Sequence, residues 1–348
     1  MVSTLLPDAS WHTLIKEQVK ETFHYDQRWF ELITKLYGYR VIQLTTTDAQ
    51  GQITGFLPLC SISSVVTGRR LVALPFSDHC PLLATDEKSS QDLIDQAIRL
   101  AQQQKVKYLE LRAGINDSLA ARSDLIASDL YTNWSLPLQP RSEDMWAALR
   151  KPVQQQVKKS RKLGVQIRVA QKREDMLLYH RLHLQTRTRK HGMPAQAQDY
   201  FLKLWDYFAA DGAIRLLLAE HQGTPIAGII LLISGTTIHY AYGASDEAYL
   251  HLAPNNLLFW IAIEWGCNQG YRTFDFGRTA RDNQGLMEFK RRWGAIQEPL
   301  PYYYYPHAAG LAATSETSWK YRLLTNTWKK LPLAITGPLG GYLYRHLG

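Results

Sequence analysis

Apolar positions along this chain form two kinds of run, alternating runs that predict strands and three-four spaced runs that predict helices. Their order occurs twice, roughly 165 to 175 residues apart. The first pass reads Gln52-Ile53-Thr54-Gly55-Phe56-Leu57-Pro58-Leu59, then Leu74-Pro75-Phe76-Ser77-Asp78-His79, a helix near Ser90 to Gln104, and the strand Tyr108 to Arg112. The second reads Thr224-Pro225-Ile226-Ala227-Gly228-Ile229-Ile230, then His239 to Ser245, a helix from Asn256, and Phe274-Asp275-Phe276-Gly277-Arg278. In each pass a glycine-turned hairpin leads to an aromatic strand ending in polar residues, then a helix and a short strand. The pattern predicts a duplicated α/β unit, and small-molecule sites concentrate in clefts between such copies.

Other elements fill in around the repeat. Asp26 before Trp29, Phe30, Ile33 and Leu36 predicts a capped helix stopped by Gly38. Strands Arg40 to Thr45 and Ile53 to Ser61 flank the turn Asp48-Ala49-Gln50-Gly51. Ser89 with Asp92 reads as a capping box for the next helix. Pro137 and Pro140 mark a boundary, so the chain divides into 1–140, 141–309 and a tail 310–348. After it come a helix over Glu143 to Leu163, helices near Asp175 to Lys190 and Gln198 to Ala209, and a hairpin of Ile214 to Glu220 with Ile226 to Ile233. Leu286, Phe289 and Trp293 space out a late helix, and Tyr302 to Tyr305 a last strand.

The charge is uneven. Of a net +9 over 348 residues, Arg150 to Lys190 holds thirteen Lys or Arg against Glu174 and Asp175, a local +11. Such a segment suits phosphates on a nucleotide-linked substrate, a tRNA or an anionic membrane, or is simply a solvated helix face. The tail carries Trp319, Lys320, Arg322, Leu323, Leu324, Trp328, Lys329 and Lys330, a face for an anionic membrane surface or for packing on the body of the protein. Cys60, Cys80 and Cys267 have no metal or disulfide spacing, and the first twenty residues lack a signal-peptide core, which together predict a cytoplasmic setting. There is no Walker loop, no Gly-x-Ser-x-Gly elbow and no HExxH, against an NTPase, a serine hydrolase and a zincin. His180 and His183 share a helix face without a third ligand, so no metal site is expected.

The residues His24-Tyr25 with Trp29, Gly55 to Leu59, Leu74 to Asp78, Ile226-Ala227-Gly228, Tyr240 to Ala244, Asn256-Leu257-Leu258, Phe274 to Gly277 and Phe289 to Gly294 carry a resemblance in that order. Over about Thr22 to Pro306 the chain resembles the FemAB-like branch of the GNAT superfamily, which includes peptidoglycan-bridge aminoacyltransferases and envelope-polysaccharide acyltransferases. The resemblance implies an α/β fold of two tandem GNAT-like domains, each a mixed sheet flanked by helices. It implies transfer of an acyl or aminoacyl group to an amine of an envelope precursor, nucleotide- or lipid-linked, with acyl-CoA or aminoacyl-tRNA as co-substrate and no permanently bound cofactor. Two departures bear on this: no charged helical hairpin interrupts the second half, and the Arg/Gln-x-x-Gly-x-Gly/Ala loop that cradles coenzyme A is absent. A non-catalytic protein binding tRNA or the precursor on the same scaffold is the alternative.

Amide formation needs a neutral amine, yet an amine of pKa about 10.4 is only roughly one part in a thousand unprotonated near neutrality. Negative charge also builds on the carbonyl oxygen. By its match to the Phe-Lys pair of resembling transferases, Lys290 after Phe289 is the candidate for that charge. Tyr242, with Tyr240 on the same strand face by alternation, could donate to donor or acceptor. Asp275 and Arg278 end a short strand where side chains can enter a cleft, Arg278 suiting a phosphate, unless the two merely pair. Resembling enzymes contact the acceptor near Arg187, Arg189 and Tyr200. Asp78 and Asp246 are possible bases or turn residues, and Asn256 is a binding candidate or a helix cap.

Overall fold

The computed structural model describes residues 11–64, 68–306 and 319–346, the side chains of 319–324 excepted. In chain order the first half contains α1 (Thr13–Glu21), α2 (Gln27–Tyr37), β1 (Arg40–Thr47), β2 (Ile53–Ser64), β3 (Gly68–Val72), β4 (Leu83–Ala84), α3 (Glu87–Gln103), β5 (Tyr108–Leu111), α4 (Asp117–Ala120) and β6 (Ile126–Pro137). There follow α5 (Ser142–Ala148), α6 (Lys151–Lys162), β7 (Gln166–Val169), α7 (Asp175–Gln185), α8 (Gln198–Phe208), β8 (Ile214–His221), β9 (Thr224–Ser234) and β10 (Thr237–Ser245). The chain closes with α9 (Pro254–Asn268), β11 (Thr273–Ala280), α10 (Gln284–Arg292), β12 (Ile296–Tyr305), α11 (Trp319–Lys330) and α12 (Leu333–Tyr344).

Its contacts divide into two units, one of 11–132, 299–306 and 345–346 and the other of 133–298 and 319–344. This differs from a partition at 140 and 309. The crossing lies within β6, and residues 299–306 return to the first unit because Tyr303, Tyr304 and Tyr305 pair with Leu111, Glu110 and Leu109 of β5. Residues 319–344 belong with the second unit rather than standing apart as a tail.

Each unit repeats one topology. In the first, β1 pairs antiparallel with β2, β2 antiparallel with β3, and β3 parallel with β5 across α3. In the second, β8 pairs antiparallel with β9, β9 antiparallel with β10, and β10 parallel with β11 across α9. Parallel neighbours need a crossover of this kind, and α3 and α9 supply it. The aromatic run Leu74 to His79 is not the first counterpart of β10, however. That place belongs to β3, and Leu74 and Phe76 take positive φ of 44° and 66° in an irregular loop.

Local sequence explains the element ends. Asp26 accepts a hydrogen bond from Arg28 N–H to start α2. For α3 the cap is Asp86, which accepts from Ser89 N–H, so the helix begins a turn before the Ser89/Asp92 box would place it. Leu149 and Arg150 are extended, with ψ of 141° and 138°, and Pro152 lies in the first turn of α6, where its missing N–H costs nothing; Glu143 to Leu163 is therefore two helices. The core of the second unit joins Ile226, Ile229 and Leu231 of β9, Leu258, Ala262 and Ile263 of α9, and Phe274 and Phe276 of β11. β9 is buried on both faces, which is why it reads as a continuous apolar run.

Candidate active site

β10 and β11 run side by side for three positions only: Thr237, Ile238 and His239 against Thr273, Phe274 and Asp275. Both strands continue, to Ser245 and Ala280, but among the described residues the ladder stops there and the strands part. The cause on the β10 side is a bulge. Tyr240 opposes Leu231 of β9, and Tyr242 opposes the next residue, Ile230, leaving Ala241 as the extra residue. On the β11 side Gly277 takes φ 71°, a conformation that glycine adopts without strain.

The bulge also overturns the expectation that Tyr240 and Tyr242 share a face, because one extra residue reverses the alternation. Tyr240 packs on Phe259 of α9 at 4.8 Å, and burial pushes its phenol up to about 12. Tyr242 instead meets Tyr200 and Phe201 of α8 and His183 of α7. Its hydroxyl lies 2.6 Å from that of Tyr200, a buried residue whose hydroxyl thus turns to another tyrosine.

Where the strands part, three side chains form a hydrogen-bonded chain. His239 Nδ1 lies 3.0 Å from Asp275 Oδ2, and its Nε2 lies 3.0 Å from Ser234 Oγ. A carboxylate at Nδ1 favours the tautomer with the proton there, which leaves Nε2 to accept from the serine hydroxyl. Burial acts to raise the Asp275 pKa, but the contacts with His239, the Gly277 N–H and Asn133 outweigh it and hold the carboxyl below its usual range. Asp275 thus pairs with His239 and not with Arg278. His239 and Ser234 were not among the residues singled out from sequence, although the alternation of β10 places His239 on the face opposite Tyr240.

Lys290 lies on the same backbone stretch. It is 2% exposed, and its Nζ donates to the carbonyls of Gly277, at 2.8 Å, and Arg278, at 3.0 Å. Gly277 N–H in turn donates to Asp275 Oδ1 at 2.9 Å. One residue, Gly277, therefore joins the His239–Asp275 pair to the buried ammonium. Phe289 beside it is half-buried rather than buried, against Phe259 and Trp293. Arg278 is half-buried on β11 beyond Gly277.

The remaining candidates lie elsewhere. Arg189 is exposed and its guanidinium binds the Lys329 carbonyl, while Arg187 binds the Pro194 carbonyl. Asn256 caps nothing: α9 starts after Ala253 without a side-chain cap, and Asn255 reaches Ser245 Oγ at 3.4 Å. Asp246 accepts from Ala248 N–H in a turn. Asp78 belongs to the first unit, where its carbonyl accepts from the Tyr302 hydroxyl. His183 faces Gln196 Oε1 at 2.7 Å, and burial, then the Arg187 charge, push its pKa down to about 3. Among the described residues no group of His, Cys, Asp and Glu is placed to hold a metal ion. Of the tail face, Trp319, Lys320, Arg322, Leu323 and Leu324 lie outside the described side chains, and Trp328 is half-buried.

Residues 147–291, which contain this site, match the acetyltransferase (GNAT) domain model. The lipid II:glycine glycyltransferase of Staphylococcus haemolyticus is 34% identical over 85 residues, 22% of this chain and 20% of that protein. Its Staphylococcus aureus counterpart is 31% identical over 88 residues, 23% and 21% of the two chains. The chain thus spans about a fifth of the length of these relatives. Among solved structures, FemX superposes with a TM-score of 0.63 at 16% identity, covering 80% of this chain and 90% of that one. The C-terminal domain of a putative lysylphosphatidylglycerol synthetase from Agrobacterium fabrum gives 0.59 at 14%, covering 86% and 93%.

Proposed function

From the match of residues 147–291 to the GNAT domain and the partial similarity to lipid II:glycine glycyltransferases, we propose an N-acyltransferase of the FemAB-like kind that moves an acyl or aminoacyl group onto an amine of a peptidoglycan or polysaccharide precursor at the cytoplasmic side of the envelope. The observation that carries this reading is the buried Lys290 ammonium, tied through Gly277 to the His239–Asp275 pair where β10 and β11 part. The named activity of the glycyltransferase relatives favours an aminoacyl group and a lipid-linked acceptor.

The amine nitrogen attacks the acyl carbon, the new C–N bond forms, and the bond to the donor's oxygen or sulfur breaks. Lys290, fixed by two carbonyls, holds positive charge where the carbonyl oxygen turns negative, a stabilisation of about 3 to 4 kcal/mol. His239, oriented by Asp275, takes the amine's proton at Nε2, where Ser234 now donates, and returns it to the leaving atom. General base action of this kind contributes roughly 10²- to 10⁴-fold. Tyr242 and Arg278 line the parted strands as substrate contacts, with Tyr240 and Phe289 packed behind them. The donor, acyl-CoA or aminoacyl-tRNA, is a co-substrate, and the cations of α6 suit the phosphates of either one.

The test is a donor screen with purified full-length protein and a nucleotide-linked muramyl peptide. Thiol release from acetyl-CoA or loss of glycyl-tRNA, with a new amide on the acceptor, is the expected result, reduced about 10²- to 10³-fold in Lys290→Ala. Full turnover in that variant refutes the role of the lysine.

A further inference from the structure

Helix α12 is packed in reverse of a helix that ends in water. The side it presses to the protein carries its small residues. Thr336 is fully buried and shares a 3.2 Å hydrogen bond with Thr188, and Gly340 is buried as well. A Cβ on Gly340 would stand 3.0 Å from Ala195 N, and one on Gly341 2.9 Å from Ala197 Cβ, so these glycines are what allow the close approach. Another side carries large apolar residues that are partly exposed. Ile335 is 50% exposed, Leu339 39% and Tyr342 55%, at spacings of four and three that place them in one stripe.

No charged residue interrupts 331–344, while Lys330, Arg189 and Lys190 are all exposed, with the Arg189 guanidinium resting on the Lys329 carbonyl just ahead of the helix. An apolar stripe with cations at one end matches an anionic bilayer, whose headgroups take the charges while its acyl boundary takes the aliphatic and aromatic side chains. A second protein copy fits less well, because a stable protein interface needs about 20 to 30 residues a side. α12, about 18 Å long, cannot cross the bilayer, and no helix among the described residues is long and apolar enough to do so.

We propose that α12 is a surface anchor that lies in the headgroup region of an anionic membrane and inserts Ile335, Leu339 and Tyr342. The segment differs from the Trp319 to Lys330 face, and the inference does not depend on the transfer reaction.

Co-sedimentation with vesicles tests it, using the full chain and phosphatidylglycerol–phosphatidylcholine mixtures against phosphatidylcholine alone. The vesicles contain no precursor, so failure here leaves the proposed transfer standing, and a failed donor screen leaves the anchor standing. Wild type is expected to bind the anionic vesicles, more weakly as salt rises. The triple variant I335S/L339S/Y342S is expected to lose roughly tenfold or more in affinity, with far-UV circular dichroism unchanged since all three positions are exposed. A second variant, K330E, is expected to weaken binding to anionic vesicles with little effect on neutral ones. Equal binding by wild type and the triple variant, or no binding by wild type, overturns the proposal. So does a wild-type dimer in sedimentation velocity that the triple variant dissolves while vesicle binding is absent, which assigns the stripe to self-association.

Discussion

The same parallel pairing is closed in one unit and open in the other. In the first unit Arg70, Leu71 and Val72 of β3 pair with Tyr108, Leu109 and Glu110 of β5, as Thr237 to His239 pair with Thr273 to Asp275 in the second. Beyond that point the first unit keeps bonding: Ala73 N–H donates to the Glu110 carbonyl and Cys80 N–H to the Arg112 carbonyl, each at 2.8 Å. Arg112 then fastens the region, with Nε 2.7 Å from Glu110 Oε1 and Nη1 2.7 Å from the Ser77 carbonyl. In the second unit the residue two beyond the carboxylate is Gly277, which contributes only its backbone, and Val72 is replaced by His239. One copy thus uses its carboxylate as a structural tie, and the other leaves it beside an imidazole and a buried lysine. On this difference we assign the proposed chemistry to the second copy.

The strongest way to break this comparison is to cut the tie. Arg112→Met is expected to destabilise the protein by about 3 to 5 kcal/mol, because Glu110 and the Ser77 carbonyl lose a buried partner. Denaturant unfolding measures the loss, and single-turnover rates per folded molecule should stay near wild type. Lys290→Ala in the open copy should do the reverse on rate, costing about 3 to 4 kcal/mol of transition-state stabilisation. His239→Gln should lower the single-turnover rate about 10²-fold, with a small change in melting temperature. An unchanged rate would leave His239 as a packing residue.

His183 is neutral in the fold down to a pKa of about 3. Below about 6.5 the unfolded imidazole binds a proton that the folded one refuses, so stability falls on acidification, by roughly 2 kcal/mol between pH 6.5 and 5. His183→Gln should flatten that part of a stability-versus-pH curve. Tyr242→Phe, which removes the hydroxyl bonded to Tyr200, is expected to cost about 0.5 to 1.5 kcal/mol in denaturant unfolding.

Much of the architecture was legible because it is local. Asp26 and Gly38 bracket α2, the apolar run of β9 announces a strand covered on both faces, and the repeated order of elements is the repeated topology. Lys290, Asp275 and Arg278 are candidates from the resemblance and from an expected strand end, although β11 runs on to Ala280 and Lys290 lies on α10. His239 was not legible, since its partnership with Asp275 exists only once two strands 36 residues apart in register lie side by side. The bulge at Ala241 was equally hidden, and with it the opposed directions of Tyr240 and Tyr242, because nothing in Tyr-Ala-Tyr-Gly specifies an extra residue. Strand β6 escaped notice because its first half is largely exposed and only Thr132, Trp134 and Leu136 alternate inward.

We propose that the reacting carbonyl sits where β10 and β11 part, within reach of Lys290 and His239. A crystal structure with an amide analogue of an aminoacyl-adenosine, and another with a thioether analogue of acetyl-CoA, tests it most directly. One of them is expected to place its carbonyl oxygen within hydrogen-bond distance of Lys290 Nζ, on the side of Ser234 and His239. An analogue bound instead at the Leu74 to Cys80 loop beside Arg112 would contradict it.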